Sequence, residues 1–499
     1  MKSKFLFLII LAALIIRLIP TLVTNQPFST DTWPLIRLSK VLLTNPECKV
    51  WNDSVLGGYH NRWPAVILES VLFATITSLD PAYFFRFAGV IITQTSISAT
   101  TYALIKRYRG TYVALLCTLA LTSIPSFVVF TSSTLKEVYA YPLILLLALV
   151  TIEDSLSKLS ALTFLIALTS VSSHPLAPLM MIAFLGSYLF MNWVKRLEGS
   201  SYLRSVRKYL FIFLILCSVY VTYMVFYGWE GLIFKFGLSD FLTIFTVVVA
   251  VYGWYVLVGR GFKSLLILTP GIMILVLNSG FLEVPSILPI LLYVAPFIAL
   301  FLTYIYKREG RSGEGVLESI LLPVSVGVQY IAITLPLFLS VLHRLLNYLS
   351  FAFVVFISSL NTRLEKAKRY AVFMIILSLI TSMLISINLT FRGDPITYYW
   401  RYGDREVVGV SNLIKYVGSE KVCGDAKIKY LIGDVIAVDS LCALRLYKTS
   451  SGYPTVFYSD NFRFGYVLSP TDIYLTQELS ALTLTRDFVY SNGAVYVVR

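Results

Sequence analysis

Long apolar stretches, most of them near the length of a bilayer-crossing helix, recur from residue 5 to residue 389 and are separated by short polar turns. A helix rises 1.5 Å per residue, so roughly 20 apolar residues cross a hydrocarbon layer about 30 Å thick. The pattern predicts spans at 5–23, 82–105, 111–130, 138–152, 160–173, 176–193, 209–227, 240–258, 264–278, 286–306, 316–338, 342–360 and 370–389, thirteen in all. One further apolar segment, "PAVILESVLFATITSL" at 64–79, contains Glu69 and is short for a span. It predicts a helix that lies along the membrane surface or re-enters it. After Leu389 the period changes. Stretches such as "DVIAVDS", "PTVFYSD" and "GAVYVVR" alternate β-branched, aromatic and polar residues, which predicts a small β-rich or α/β domain. The expected fold class is therefore an α-helical polytopic membrane protein with a transmembrane domain over 1–390 and a C-terminal domain over 391–499. Residues 24–81 form one long loop carrying surface helices.

Basic residues orient this arrangement. The segments "KRYRG" (106–110), "VKRLEGSSYLRSVRK" (194–208), "GRGFK" (259–263), "KREGRSG" (307–313) and "NTRLEKAKR" (361–369) all fall on the side of Lys2 and Lys4. Lys and Arg in short loops stay cytoplasmic. The N-terminus is thus expected in the cytoplasm of a multi-pass cell-membrane protein, with loop 24–81 and the C-terminal domain outside. One turn, "IEDSLSK" at 152–158, runs against the bias with two acids and one lysine, whereas counting 64–79 as a span would reverse every later loop. Lys2 and Lys4 ahead of an apolar core also suit a signal peptide. No small-x-small cleavage site follows, and Arg17 and Pro20 come instead, so an uncleaved first span is expected.

Composition narrows the class. Hydrophobic residues make up 57% of the 499 and charged ones 14%, against roughly 25% charged in a soluble protein. The net charge of +14 comes without a basic stripe interleaved with aromatics, which argues against nucleic acid and leaves membrane lipids as partners. Of five cysteines, Cys117 and Cys217 lie in apolar runs, and only Cys423 and Cys442, in the polar tail, are placed to pair. A disulfide there would stabilise by about 3 kcal/mol. The sequons at Asn52 and Asn388 both fall on the outer side.

Candidate chemistry gathers at that side too. Asp31 stands in "FSTDTWPLIR", just past the first span, and Arg62 in "HNRWP". Lys136 and Glu137 follow in "STLKEVYAYP", His174 in "SSHPLAP", and His343 and Arg344 open the twelfth span. Singly, each has a plain structural use: Asp31 and His174 can cap helix ends, and Lys136 and Glu137 can reach back to the interface. Together, two acids, several cations and a histidine suffice to bind a phosphate, hold a metal ion and take a proton from an acceptor hydroxyl. The three histidines show no His-x-x-x-His spacing, which argues against a tight zinc site. In the tail, Asp425, Asp434 and Asp439 are the acids open to a role.

A first span, a long outer loop that opens with an acid, a basic-Pro entry into a surface helix, and a "Ser…acid" segment after the third span resemble the membrane-embedded GT-C glycosyltransferases. About thirteen spans and an outer C-terminal domain complete the likeness. The relatives are protein O-mannosyltransferases, aminoarabinose transferases of lipid A and catalytic subunits of oligosaccharyltransferases. The resemblance implies an inverting transfer of a sugar from a polyprenyl-phosphate-linked donor to a protein, lipid or glycan acceptor on the outer face. It further implies Asp31 as catalytic base or metal ligand and Glu137 as the second acid. Arg62, Lys136, His174 and Arg344 would contact the donor phosphate. A divalent cation, Mg or Mn, would be the cofactor if Asp31 and Glu137 share one. Arg86, in "YFFRFAG", is similar to an arginine of structural use. Two departures stand out: one proline follows Arg62 where relatives often have two, and no "WWDYG"-type signature is present. They disfavour transfer of a whole N-glycan. A transporter or lipid flippase would instead need charges deep in the spans and two similar halves, whereas a lipid-linked glycan polymerase or ligase shares the same donor chemistry.

Overall fold

The structure is a computed structural model. It describes residues 2–152, 156–197, 206–232, 237–258, 314–334, 339–359, most of 372–384, 400–417, 421–442 except 434 and 441, 454–461, 466–469, 472–474 and 488–498. The expected spans at 264–278 and 286–306 lie outside the described residues, as do part of 370–389 and the sequon at Asn388.

Helix α1 (Lys2–Thr24) leads into a loop that carries α2 (Thr32–Thr44), the single turn α3 (Asp53–Leu56) and α4 (Ala65–Thr77). Segment 64–79 is thus a 13-residue apolar helix, too short to cross. Helix α2 turns Leu35, Ile36, Leu38 and Leu42 toward Val66 and Ile67 of α4, and Ser70 Oγ donates to Ser39 Oγ across the seam at 2.5 Å. Helix α5 (Pro81–Tyr83), capped by the Asp80 side chain accepting from Ala82 N at 2.8 Å, runs through a wide turn at Phe84–Ala88 into α6 (Gly89–Arg109). Lys106, Arg107 and Arg109 lie in the last turn of α6, where cations complement the exposed carbonyls.

The expected span 111–130 is not one straight helix. It divides into α7 (Thr111–Ser123) and α8 (Pro125–Thr131), bent by 70°. Pro125 has no N–H to continue the helical bonds, so carbonyls before it need other donors. Arg17 of α1, fully buried, supplies one by donating to Thr122 O at 3.1 Å, and its Nε donates to Thr131 Oγ1 at 2.7 Å. Ser382 donates to the Ser123 carbonyl. Arg17, from the first span, therefore bridges the break.

The bundle continues with α9 (Lys136–Ile152), α10 (Leu156–Ser173), α11 (Leu176–Leu197), α12 (Val206–Tyr223), α13 (Leu238–Val258), α14 (Glu314–Thr334) and α15 (Leu339–Ser359). Its core joins Cys117 of α7, Phe127 of α8, Tyr141 of α9, Leu321 of α14, and Tyr348 and Ala352 of α15. Among the described residues, four helices are long and apolar enough to cross a membrane, or five if the bent pair counts as one. The count of thirteen is not reached on those residues.

A separate core, from Tyr402 to Val497, belongs to the C-terminal part. Its strands are β1 (Val422–Cys423), β2 (Val438–Asp439), β3 (Thr455–Tyr458), β4 (Tyr466–Ser469), β5 (Asp472–Tyr474), β6 (Phe488–Ser491) and β7 (Val495–Val498), with helices α16 (Asp404–Val417) and α17 (Ala426–Ile432). Five strands form one sheet in the order β2-β1-β3-β7-β6, parallel at β1–β2 and β1–β3 and antiparallel beyond, so the unit is mixed α/β. Gly493, at φ +80°, sits in the three-residue loop between β6 and β7, where a positive φ suits glycine. Cys423 and Cys442 are disulfide-bonded, with α17 in the loop they close.

Candidate functional site

Asp31 occupies the residue before α2 but does not cap it, since no backbone N–H of the helix reaches its side chain. The backbone just upstream is unusual. Ser29 takes φ +81°, a region that costs a non-glycine residue about 1–3 kcal/mol and persists only where surroundings enforce it. Here Ser29 N donates to Trp400 O at 2.8 Å, and Thr32 Oγ1 donates back to Ser29 O at 2.6 Å. The Asp31 side chain is half-buried there. Loss of solvent raises its pKa above the ordinary aspartate range, against the pull of Arg344 and Lys136 and of a hydrogen bond from the Tyr430 side chain.

Lys136 and Glu137 open α9, one turn past the bent pair, and both are buried. The Lys136 ammonium lies over the rings of Tyr59, 4.3 Å from the centroid, and Trp63, at 5.3 Å. Its Nζ has no hydrogen-bond partner among the described residues. Burial first, then repulsion from Lys136 and Arg37, pushes the His60 imidazole well below its ordinary pKa, so it is neutral. Glu137 accepts from Tyr141 Oη at 3.3 Å and faces Arg344 Nη1 of α15 at 3.4 Å. Arg344 Nη1 also meets His174 Nε2 at 3.1 Å, while His174 Nδ1 receives Leu176 N at 3.2 Å. A neutral imidazole has one acceptor nitrogen, so only one of these two donors is satisfied at a time. Arg344 Nε is buried with no partner among the described residues.

Asp31, Lys136, Glu137, His174 and Arg344 are thus brought to one place, with Arg344 acting electrostatically on both acids. Arg62 is not among them. Its guanidinium pairs with Asp53, with Glu230 at 2.9 Å and with Tyr227 O at 2.7 Å, and its ring contact is with Tyr227. Trp63, which follows Arg62, lies under the Lys136 ammonium, so the "NRWP" stretch reaches the site through Trp63. Gly231 packs so closely that a Cβ there would lie 2.7 Å from Arg62 Cβ, which ties the turn after α12 to the loop. Arg86 donates to the Asn25 side chain and stacks on Tyr83 and Phe87, as its structural expectation required. The side chain of His343 and Asp434 lie outside the described residues. Asp425 caps α17 and accepts from Asn461 Nδ2 at 3.0 Å, and Asp439 pairs with Lys421 at 3.0 Å, so both are engaged within the C-terminal part.

The sequence reading did not single out Tyr59, Tyr141 or Tyr430. Aromatic residues at helix ends look like interfacial anchors, and only the fold separates those that face an acid. For a metal, the donor set is poor. Among the described residues no three of His, Cys, Asp and Glu are placed to share one metal ion, and the two acids have Lys136 and Arg344 beside them, which a divalent cation would repel.

No family model matches the sequence, and no curated protein does. Among solved structures, the Archaeoglobus fulgidus oligosaccharyltransferase in complex with Zn and sulfate is similar at a TM-score of 0.53 and 12% identity, covering 86% of this chain and 61% of that one. Its apo form aligns at 0.52, with 87% and 63% covered. This chain therefore spans about three-fifths of that enzyme's length. ArnT from Cupriavidus metallidurans bound to undecaprenyl phosphate aligns over 99% of this chain and 98% of its own, at a TM-score of 0.43 and 12% identity. A helical bundle, a first loop bearing short helices and a C-terminal α/β unit make up a fold that this chain shares with the Archaeoglobus fulgidus oligosaccharyltransferase.

Proposed function

We propose that this protein moves a sugar from a polyprenyl-phosphate carrier to an acceptor at the membrane face where Asp31 lies, with inversion. One observation carries the reading: Asp31, an acid denied its capping role, faces two cationic groups, one of which, the buried Lys136 ammonium, has no partner among the described residues. A nucleophile's proton needs a base, and a departing phosphate needs positive charge. In the step, the acceptor oxygen attacks the anomeric carbon while Asp31 takes its proton. The bond from that carbon to the phosphate oxygen breaks, and Lys136 with Arg344 stabilises the phosphate released. Glu137 serves chiefly to hold Arg344. Arg62, assigned to the phosphate by resemblance, is better read as a brace between the loop and the turn at 229–231. The donor set supports transfer without a divalent cation. In this reading the N-terminus is cytoplasmic, residues 1–390 form the membrane domain, and the C-terminal domain at 391–499 lies outside and bears on acceptor choice.

The test uses the purified protein in detergent. Undecaprenyl phosphate is titrated against tryptophan fluorescence, with undecaprenol as the neutral control. Tighter binding of the phosphate, lost in Lys136→Gln, is expected. Equal binding of alcohol and phosphate would overturn the assignment. Transfer itself is read with undecaprenyl phosphate carrying tritiated mannose or glucose, as release of label from the lipid.

A further inference from the structure

Helix α2 carries two contacts to one residue of the C-terminal part. Arg37 Nη1 donates to the carbonyls of Tyr430 and Leu431, both at 2.6 Å, and so covers the carboxyl end of α17. The Tyr430 side chain reaches the Asp31 carboxylate at the start of α2. Asp31 and Arg37 are six residues apart, about 9 Å along a helix axis. A tyrosine fixed at its own carbonyl and at its hydroxyl against two points of one helix cannot slide or turn relative to it. The rest of α17 is equally constrained. Asp425 accepts from Ile428 N at 2.9 Å, Asn461 anchors Asp425, and the Cys423–Cys442 bridge closes the loop around the helix. Alongside, Trp33 of α2 packs edge-on against Tyr402, with centroids 5.5 Å apart.

We infer that Tyr430 is a positioning residue for Asp31: its hydroxyl, delivered by α17 on the Arg37 clamp, orients the carboxylate, so that the base is aligned only while the C-terminal domain is docked on α2. This deepens the proposed reaction and rests on Asp31 being the proton acceptor. Four groups face Asp31, namely Lys136 from α9, Arg344 from α15, Tyr59 from the first loop and Tyr430 from α17. Of these, Tyr430 alone comes from the C-terminal part.

The experiment reads the proton on Asp31 without needing a substrate. Dicyclohexylcarbodiimide reacts with protonated, buried carboxyl groups, and peptide mass spectrometry of Asp31 across pH gives a labelling midpoint. A hydrogen bond from Tyr430 favours the carboxylate, so Tyr430→Phe should move the midpoint upward by roughly one pH unit. Arg37→Met, which loosens α17 while leaving Tyr430 intact, should move it the same way, with Arg37→Lys in between. An unmoved midpoint in a folded Tyr430→Phe protein overturns the inference. Transfer measurements keep the two readings apart. A moved midpoint with full activity in Asp31→Asn would sink the base assignment while leaving the contact, whereas an unmoved midpoint with a dead Asp31→Asn sinks only the role of Tyr430.

Discussion

Arg344 Nη1 lies 3.4 Å from the Glu137 carboxylate, joining the start of α9 to α15. The pair is asymmetric: the Glu137 side chain is 2% exposed and that of Arg344 29%. Removing the acid alone strands a charge that still has to be desolvated. Glu137→Ala is expected to cost about 3 kcal/mol and to lower the unfolding temperature in detergent. The double variant with Arg344→Met should recover part of that loss. A double variant less stable than either single one would show that the pair is not coupled.

Asp31→Asn keeps the size of the side chain and removes its basicity. Transfer should fall about 10²–10⁴-fold with the unfolding temperature unchanged. The pH dependence has a definite sign. Burial favours the protonated acid, which cannot accept a proton, so kcat/KM should rise with pH through a midpoint above the ordinary aspartate range and then level. An acidic limb at or below the usual value would count against Asp31 as the base.

Lys136 contributes charge at a point lined by Tyr59 and Trp63. Lys136→Gln is expected to weaken undecaprenyl phosphate binding roughly 10- to 100-fold, the worth of one charge-assisted hydrogen bond. Binding of undecaprenol should not change. Arg62→Gln, by contrast, should lower stability and leave phosphate affinity nearly intact, because Asp53 and Glu230 already engage its guanidinium.

Arg17→Met removes the donor to Thr122 O at the break between α7 and α8. A loss of about 1–3 kcal/mol is expected, the cost of leaving a buried carbonyl unsatisfied. Unchanged thermal unfolding would mean that water or another side chain takes over the carbonyl.

The helical part of this fold was legible because apolar length is read directly from sequence. Residues 5–23 and 82–105, expected as spans, correspond to Lys2–Thr24 and Pro81–Arg109. The bend at Pro125 was not anticipated, since an apolar run carries no mark of the donor that rescues its broken bonds, and Arg17 lies more than a hundred residues away. The site was legible as a layer but not as contacts. Asp31, Lys136, Glu137, His174 and Arg344 all stand near span ends, and the bundle puts them together. Arg62 stands near one too, yet its partners Asp53 and Glu230 could not be paired with it without the fold. Tyr430 was invisible for the same reason: a tyrosine on a short helix of the tail gives no sign of which acid it meets.

The bond from Ser29 N to Trp400 O, together with the Arg37 clamp on α17, has a consequence for biosynthesis. Asp31 is translated before helices α2 to α15, but both ties near it come from residues translated after them. A nascent chain that has reached residue 399 can complete its helices in the lipid while the loop around Asp31 stays slack. The strained turn at Ser29 gains its tie only when Trp400 comes to lie against it. Such an order leaves the Asp31 side chain unfixed until the C-terminal part has folded.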